Sequence, residues 1–188
     1  MSLLSKKAVV LLLAAVAGLG ALNAQAAKPK EKASTNNVSM LDGKFTFVLP
    51  KGFTADPLPA GPTGAKGTMY TNQATKTVVI AAENQIAGGA SVKDNDNEFL
   101  DGSLASFIDD QRKALPDFNK LTEKSLTQKS SGLGVRQVDS TATQGGGQTL
   151  NTTLLAASGK RMALVQVISR ASDKSGHDAL VKTILKDK

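Results

Sequence analysis

Phe45, Phe47 and Leu49 occupy every second position of MLDGKFTFVLP, after an Asp42-Gly43 turn pair and before Pro50. That spacing predicts a strand closed by the proline. Residues 51–67 follow, with Pro57, Pro59 and Pro62 among four glycines, and are expected to form a loop. TMYTNQATKTVVIAA then reads as a hairpin, with strands at 68–71 and 76–82 and a turn at 72–75. Its run VVIAA has no polar face, as in a strand covered on both sides.

The period changes next. Leu100, Leu104, Phe107, Ile108, Gln111 and Leu115 lie along one helical stripe, and Pro116 ends it. Beyond it, NKLTEKSLTQ alternates weakly, and GLGVRQVDSTATQ follows a Ser-Ser-Gly turn. QTLNTTLLAA and RMALVQVIS are apolar on both faces, and the turns at 145–147 and 158–160 make hairpins of these segments. A last helix is expected over 172–186, with a Ser/Asp cap and a stripe of Leu180, Val181, Ile184 and Leu185. Strands, helix, four strands and helix together predict the α+β class: an antiparallel β-sheet with helices on both faces, an α/β/α sandwich.

The segment SVKDNDNEFLDG precedes the first helix, and its Asp94-x-Asp96-x-Glu98 spacing raises calcium. A calcium loop of the EF-hand kind needs glycine at its sixth position and a bidentate glutamate at its twelfth. Counted from Asp94, those positions hold Phe99 and Ala105. The acids fit a helix start instead: Asn95, Asp96 or Asn97 as cap, with Glu98 and Asp101 at the positive end of the dipole. Arg112 and Lys113 sit near the other end.

The N-terminus sets the expected compartment. Lys6 and Lys7 precede an apolar stretch at 8–22, and Ala24-Gln25-Ala26 offers a small-x-small cleavage site. This is the grammar of a secretory signal peptide over 1–26, cleaved after Ala26. An uncleaved anchor is the alternative, against which Gly18, Gly20 and Asn23 weigh. A polar leader is expected over 27–39, then one domain over 40–188. No second long apolar run predicts a membrane span in the mature chain. The chain has no cysteine, so disulfides, thiolate metal sites, cysteine nucleophiles and lipidation at cysteine are all excluded. A free periplasmic protein is expected.

Charge narrows the partners only slightly. The chain carries 23 Lys+Arg and 16 Asp+Glu; losing Lys6 and Lys7 with the signal peptide leaves 21 against 16, a formal +5. Such a balance suits weak contact with anionic lipid or wall polymers, and equally suits plain solubility. Nucleic acid is disfavoured, since one tyrosine and no tryptophan are available for stacking.

No catalytic, cofactor or metal constellation emerges. The single histidine, His177, falls in the first turn of the last helix, where a solvated ring is expected, and no G-x-S-x-G elbow exists. It could act as a base only if a serine of the sheet reached it. GPTGAKGTMY lacks the Gly-Lys-Ser/Thr of a phosphate loop, and Gly145-Gly146-Gly147 lies between strands rather than before a helix. Asn151-Thr152-Thr153 matches a glycosylation sequon inside an expected central strand.

Three phrases, MLDGKFTFVLP, FIDDQRKALPDF and VRQVDSTATQGGGQTLNTTLLAASGKRMALVQVIS, resemble the DcrB family of bacterial envelope proteins, from about Val38 to the C-terminus. The resemblance implies a PsbP-like α/β/α sandwich and a role in cell-envelope maintenance, with no catalytic motif to transfer. Members are commonly lipoproteins, whereas Ala26 and Ala27 stand here in place of the lipidated cysteine. The expected function is a non-catalytic periplasmic accessory or binding protein, whose partners are envelope proteins or an anionic membrane surface. Loop 51–67 and exposed basic positions are the expected contact surfaces. A periplasmic hydrolase or lyase using Asp, Lys or Tyr70 in a cleft is the alternative.

Overall fold

The computed structural model describes residues 35–60 and 65–186. The expected signal peptide and its cleavage site lie outside the described residues, as does the expected leader up to residue 34.

The described residues form nine strands and two α-helices. Strands β1 (Asn36–Met40) and β2 (Phe45–Leu49) make an antiparallel hairpin. The other seven are β3 (Thr54–Pro57), β4 (Lys66–Asn72), β5 (Thr77–Gln85), β6 (Asn119–Thr127), β7 (Gly134–Gln144), β8 (Gly147–Ser158) and β9 (Arg161–Arg170). They form one antiparallel sheet in the order β3-β4-β5-β9-β8-β7-β6. Helices α1 (Asn97–Ala114) and α2 (Lys174–Leu185) complete the fold.

Central strands β5, β8 and β9 are the ones whose sequence is apolar on both faces. Their alternating side chains enter one core on one face and two smaller ones on the other. Val79, Leu154, Ala156, Ala163, Val165 and Val167 belong to the first, Leu155, Ala157, Met162 and Leu164 to the second, and Val78, Ile80 and Ile168, with Leu58 and Met69 against them, to the third. Each fully buried Leu or Val contributes about 1.5–3 kcal/mol over leaving it exposed.

The expected α/β/α sandwich is corrected by what covers those faces. Strands take 50% of the described residues and helices 24%, so the fold is mainly β and no layer of helices forms. The long helix α1 lies mainly over β7 and β8, through Leu100, Leu104, Phe107 and Ile108. Much of the opposite core is filled by the β1–β2 hairpin, with Val38, Met40, Phe45, Phe47 and Leu49 all buried; the short α2 adds Leu180, Val181 and Ile184 beside it. Apolarity on both faces of a strand demands cover, but a hairpin satisfies the demand as well as a helix does.

Two segments expected to be irregular are paired. β1 starts inside the expected leader 27–39, and its Val38 and Met40 point into the core. Asn36 anchors its start by donating from Nδ2 to the Phe53 carbonyl at 3.0 Å. Within 51–67, residues 54–57 pair with β4 as an exposed edge strand, where Pro57 is tolerated at the strand end. The hairpin turn at 72–75 forms as expected. Asn72 Oδ1 accepts from the Ala74 and Thr75 amides, the local bond that makes Asn a turn residue.

The helix termini follow the sequence signals. Asp96 caps α1 by accepting from Phe99 N at 3.1 Å, and Asp173 caps α2 by accepting from Gly176 N at 3.1 Å. The three acids that raised calcium therefore do separate things. Asp96 caps, Glu98 sits in the first turn, and Asp94 turns away towards Lys44.

Candidate functional site

A polar cleft of about 880 Å³ opens at one end of the sheet. Four segments meet there: the β1–β2 turn, the β8–β9 turn, the end of β5 and the run into α1. Asp42, Lys44, Asp94, Ser158, Lys160 and Arg161 supply its polar lining, and Ile86 and Val92 the apolar part.

The β1–β2 turn is strained. Leu41, Asp42 and Gly43 have φ of 52°, 56° and 86°, three successive left-handed residues; glycine suits that region and aspartate tolerates it, but leucine does not. Leu41 there costs about 1–3 kcal/mol, so surrounding contacts must hold it. Leu41 buries its side chain in the core and its amide donates to the Glu83 carboxylate. Asp42 accepts from Arg161 at 2.6 Å, and Arg161 also lies 3.7 Å from Glu83. The turn and the Arg161 pair together hold the Asp42 carboxylate at the cleft rim.

Across the cleft, Lys44 Nζ donates to Asp94 at 2.7 Å and to Ser158 Oγ at 3.0 Å, and Ser158 donates to Asp94 at 2.6 Å. The hydrogen bonds from Lys44 and Ser158 hold the Asp94 carboxyl below its usual range against a small opposing effect of burial. A Ser beside a Lys suggests a nucleophile with its base. The bond directions oppose that use: the serine proton points at a carboxylate, and the Lys44 nitrogen is occupied as a donor. The triangle instead staples the β1–β2 turn, the end of β8 and the loop before α1. Lys160, at the β8–β9 turn, is exposed and has no side-chain partner among the described residues.

Tyr70 does not reach this cleft; it is 9% exposed and packed in the core with Phe53 and Val79. Of the expected contact loop, residues 61–64 lie outside the described residues. Asn151 of the sequon is 3% exposed within β8.

His177 is placed differently from expectation. It is 5% exposed, turned inward from α2 onto the sheet. Its Nε2 lies 2.9 Å from Thr152 Oγ1 and its Nδ1 lies 3.1 Å from Ser169 Oγ. A serine of the sheet does reach it, although Ser169 itself is 1% exposed. Thr152 spends its only proton on Asp139 Oδ1 at 2.7 Å, so it must accept from an Nε2–H. Nδ1 of the neutral ring then accepts from Ser169. The result is a directed chain, Ser169 to His177 to Thr152 to Asp139, joining β9, α2, β8 and β7.

Asp139 ends that chain. Burial raises its carboxyl, but hydrogen bonds from Thr122, Gln137 and Thr152, with the Lys124 charge, outweigh it and hold the group below its usual range. Burial pushes His177 below its ordinary value, against the pull of Asp178, Asp139 and Asp173. No spacing in the sequence announces this chain, because its members are brought together by sheet register and helix docking. Nor does any announce the cleft, where Lys44 meets Ser158 across 114 positions.

No family model matches the chain, and no curated protein does. Among solved structures, the fold is similar to cyanobacterial PsbP (CyanoP) from Synechocystis, with TM-score 0.55 and 8% identity over 85% of this chain and 96% of that one. A protein of unknown function from Pseudomonas aeruginosa is matched at TM-score 0.45 and 14% identity, over 79% of this chain and 91% of that one. No helix among the described residues is long and apolar enough to cross a membrane. At such identities the likeness to cyanobacterial PsbP is one of fold, and the chain has a PsbP-like fold.

Proposed function

We propose that this chain is an exported, unlipidated accessory protein of the bacterial cell envelope, of the DcrB kind, which binds another envelope protein through the cleft and performs no reaction. The observation that carries this reading is the state of the cleft's ionisable groups. Lys44 is tied to Asp94 and Arg161 to Asp42, which leaves Lys160 as the cation facing outward at the rim. Groups that satisfy one another shape a surface, whereas a free lysine on a tight turn offers a contact to an acidic partner. A concave site of this size suits a protruding chain segment better than a flat lipid surface, so an envelope protein is favoured over the membrane. The PsbP-like fold agrees with a scaffold that presents such a surface from its loops.

A photo-crosslinking residue placed at exposed Gln85 of the cleft lining, compared with one at exposed Lys182 on α2, tests the reading in cells with Lys160 intact. A discrete crosslinked protein from position 85, absent from position 182 and weakened by Lys160→Ala, is the expected outcome. No adduct from 85, or equal adducts from both positions, would refute it. The hydrolase alternative has its own assay: labelling of Ser158 by a fluorophosphonate, abolished by Ser158→Ala, would replace the binding reading with an enzyme.

A further inference from the structure

We propose that His177 is an acid-sensitive latch that fastens α2 to the sheet, and that its protonation loosens the helix. The geometry gives it that position. The ring is the polar tie between α2 and two central strands, and both of its nitrogens are engaged with hydroxyl groups in the buried interior. In the neutral state each bond has one donor and one acceptor. A proton added to Nδ1 turns that nitrogen into a donor facing Ser169, whose own proton had pointed at it. Ser169 Oγ must then rotate, and a full charge is left in the interior with only hydroxyls in contact.

The charges around the ring do not cancel that cost. Asp139 on β7 is held one hydroxyl away behind Thr152, and it already accepts from Thr122 and Gln137 and faces Lys124 of β6. On α2 itself, Asp173 is spent on the helix cap and Asp178 is paired with Lys174. The strands β8 and β9 offer Thr152 and Ser169, and β2 (FTFVL), which also packs on α2, carries no charge. The direction of the burial effect on the ring agrees. The neutral ring therefore supports the docked helix above the ordinary histidine range. That support is lost as the pH falls below about 6.5 towards the lowered folded value.

A single histidine makes the test direct, because one imidazole signal is present in the whole chain. Nitrogen NMR at pH 7.5 should show the Nε2–H tautomer, and amide exchange measured from pH 7.5 to pH 5.0, corrected for the intrinsic rate, should accelerate about tenfold over Gly176–Leu185 for each pH unit of mismatch. The acceleration should set in near the ordinary histidine value and level off where the ring titrates in the native protein, and His177→Gln should exchange at a pH-independent corrected rate. An Nδ1–H tautomer, a ring that titrates without any change in exchange, or an acceleration of equal size in His177→Gln overturns the latch. If His177→Gln does not fold, the unaltered protein decides alone: acceleration that continues below the native ring titration, or that is complete before the pH reaches the ordinary histidine range, overturns the latch.

Discussion

Arg136 lies on β7 beneath the first turn of α1, with its side chain 3% exposed. Its Nε donates to Asp101 at 2.5 Å and an Nη to Asn97 at 2.7 Å. Asp101 is 61% exposed, so the pair joins a buried cation to a carboxylate that water still reaches. Replacing Asp101 by Ala leaves the guanidinium in place with Asn97 as its remaining protein partner. A lost hydrogen bond to a charged group costs about 1.5–3 kcal/mol, and water entering at the exposed carboxylate site offsets part of it. About 1–2 kcal/mol is the expected loss, or roughly 2–8 °C in Tm for a domain of this length. Replacing Arg136 by Met removes the buried charge itself. The carboxylate left behind is hydrated, so that variant should cost less than Asp101→Ala, and adding Asp101→Ala to it should cost almost nothing. Urea denaturation of the two single variants and the double variant measures all three terms. If Arg136→Met were the more damaging single change, or if the two effects simply added, the account of an uncompensated buried charge would be wrong.

Other expectations follow from particular contacts. Asp96→Ala should lower stability by about 0.5–2 kcal/mol by removing the α1 cap, read as a urea midpoint shift at unchanged slope. A Cβ on Gly134 would run into Asn95 Oδ1 and stand 3.0 Å from Leu100 Cδ1, so Gly134→Ala should cost about 1–3 kcal/mol, partly recovered by Asn95→Ala. The carboxyl of Asp139 is lowered in the folded state, so its support is present above the ordinary carboxylate range and is lost as the pH falls below it. Asp139→Asn should flatten that acid limb in melts taken from pH 5 to pH 2.5. On the exposed edge strand β6, Leu121 is a bulge residue, and any regular two-fold pairing of β6 with itself opposes residues of equal parity. Such registers place Glu123 or Lys124 against itself, or Lys120 against Lys124; deleting Leu121 together with Lys120→Thr and Lys124→Thr should therefore produce dimers or aggregates by size-exclusion chromatography that the unaltered chain, run alongside, should lack.

Local signals were readable where one residue's neighbours in sequence are also its neighbours in space. The α1 stripe, its acidic cap and the tight turns between strands are of that kind, and they form where the spacing places them. Polarity on β6 is readable too: it alternates weakly because both of its faces are exposed. The composition of the covering layers was not readable. VVIAA and RMALVQVIS state that both faces are buried, yet nothing in them distinguishes a helix from the β1–β2 hairpin as the cover. The burial of His177 escaped for a related reason. A first-turn position is polar or apolar according to how far the helix rolls on the sheet, and the roll is set by Leu180, Val181 and Ile184 together. The cleft depends on pairing between distant segments, as when Arg161 reaches Asp42, 119 positions away. Its members have no sequence signature because none is needed until the sheet is assembled.

The place of β9 in the sheet has a consequence for how the molecule is made. It is the last strand among the described residues, yet it lies between β5 and β8; its hairpin with β8 closes through a short turn, so its pairing with β5 is the step that joins the two halves of the sheet. Val78 pairs with Ile168, some 90 positions further on, whereas β4 with β5 and β7 with β8 close through short turns. Early collapse can therefore yield two hairpin-based units, each with an open edge and exposed apolar faces, and neither is a domain on its own. Commitment waits for the final quarter of the chain, and such non-local pairing is slow, on the scale of milliseconds to seconds. During that interval the free edges of β5 and β9, or of β8 until β9 is made, are the places where two chains would pair with each other. A chain cut before residue 161 lacks the strand that joins the halves, and it should be found in aggregates or degraded rather than partly folded.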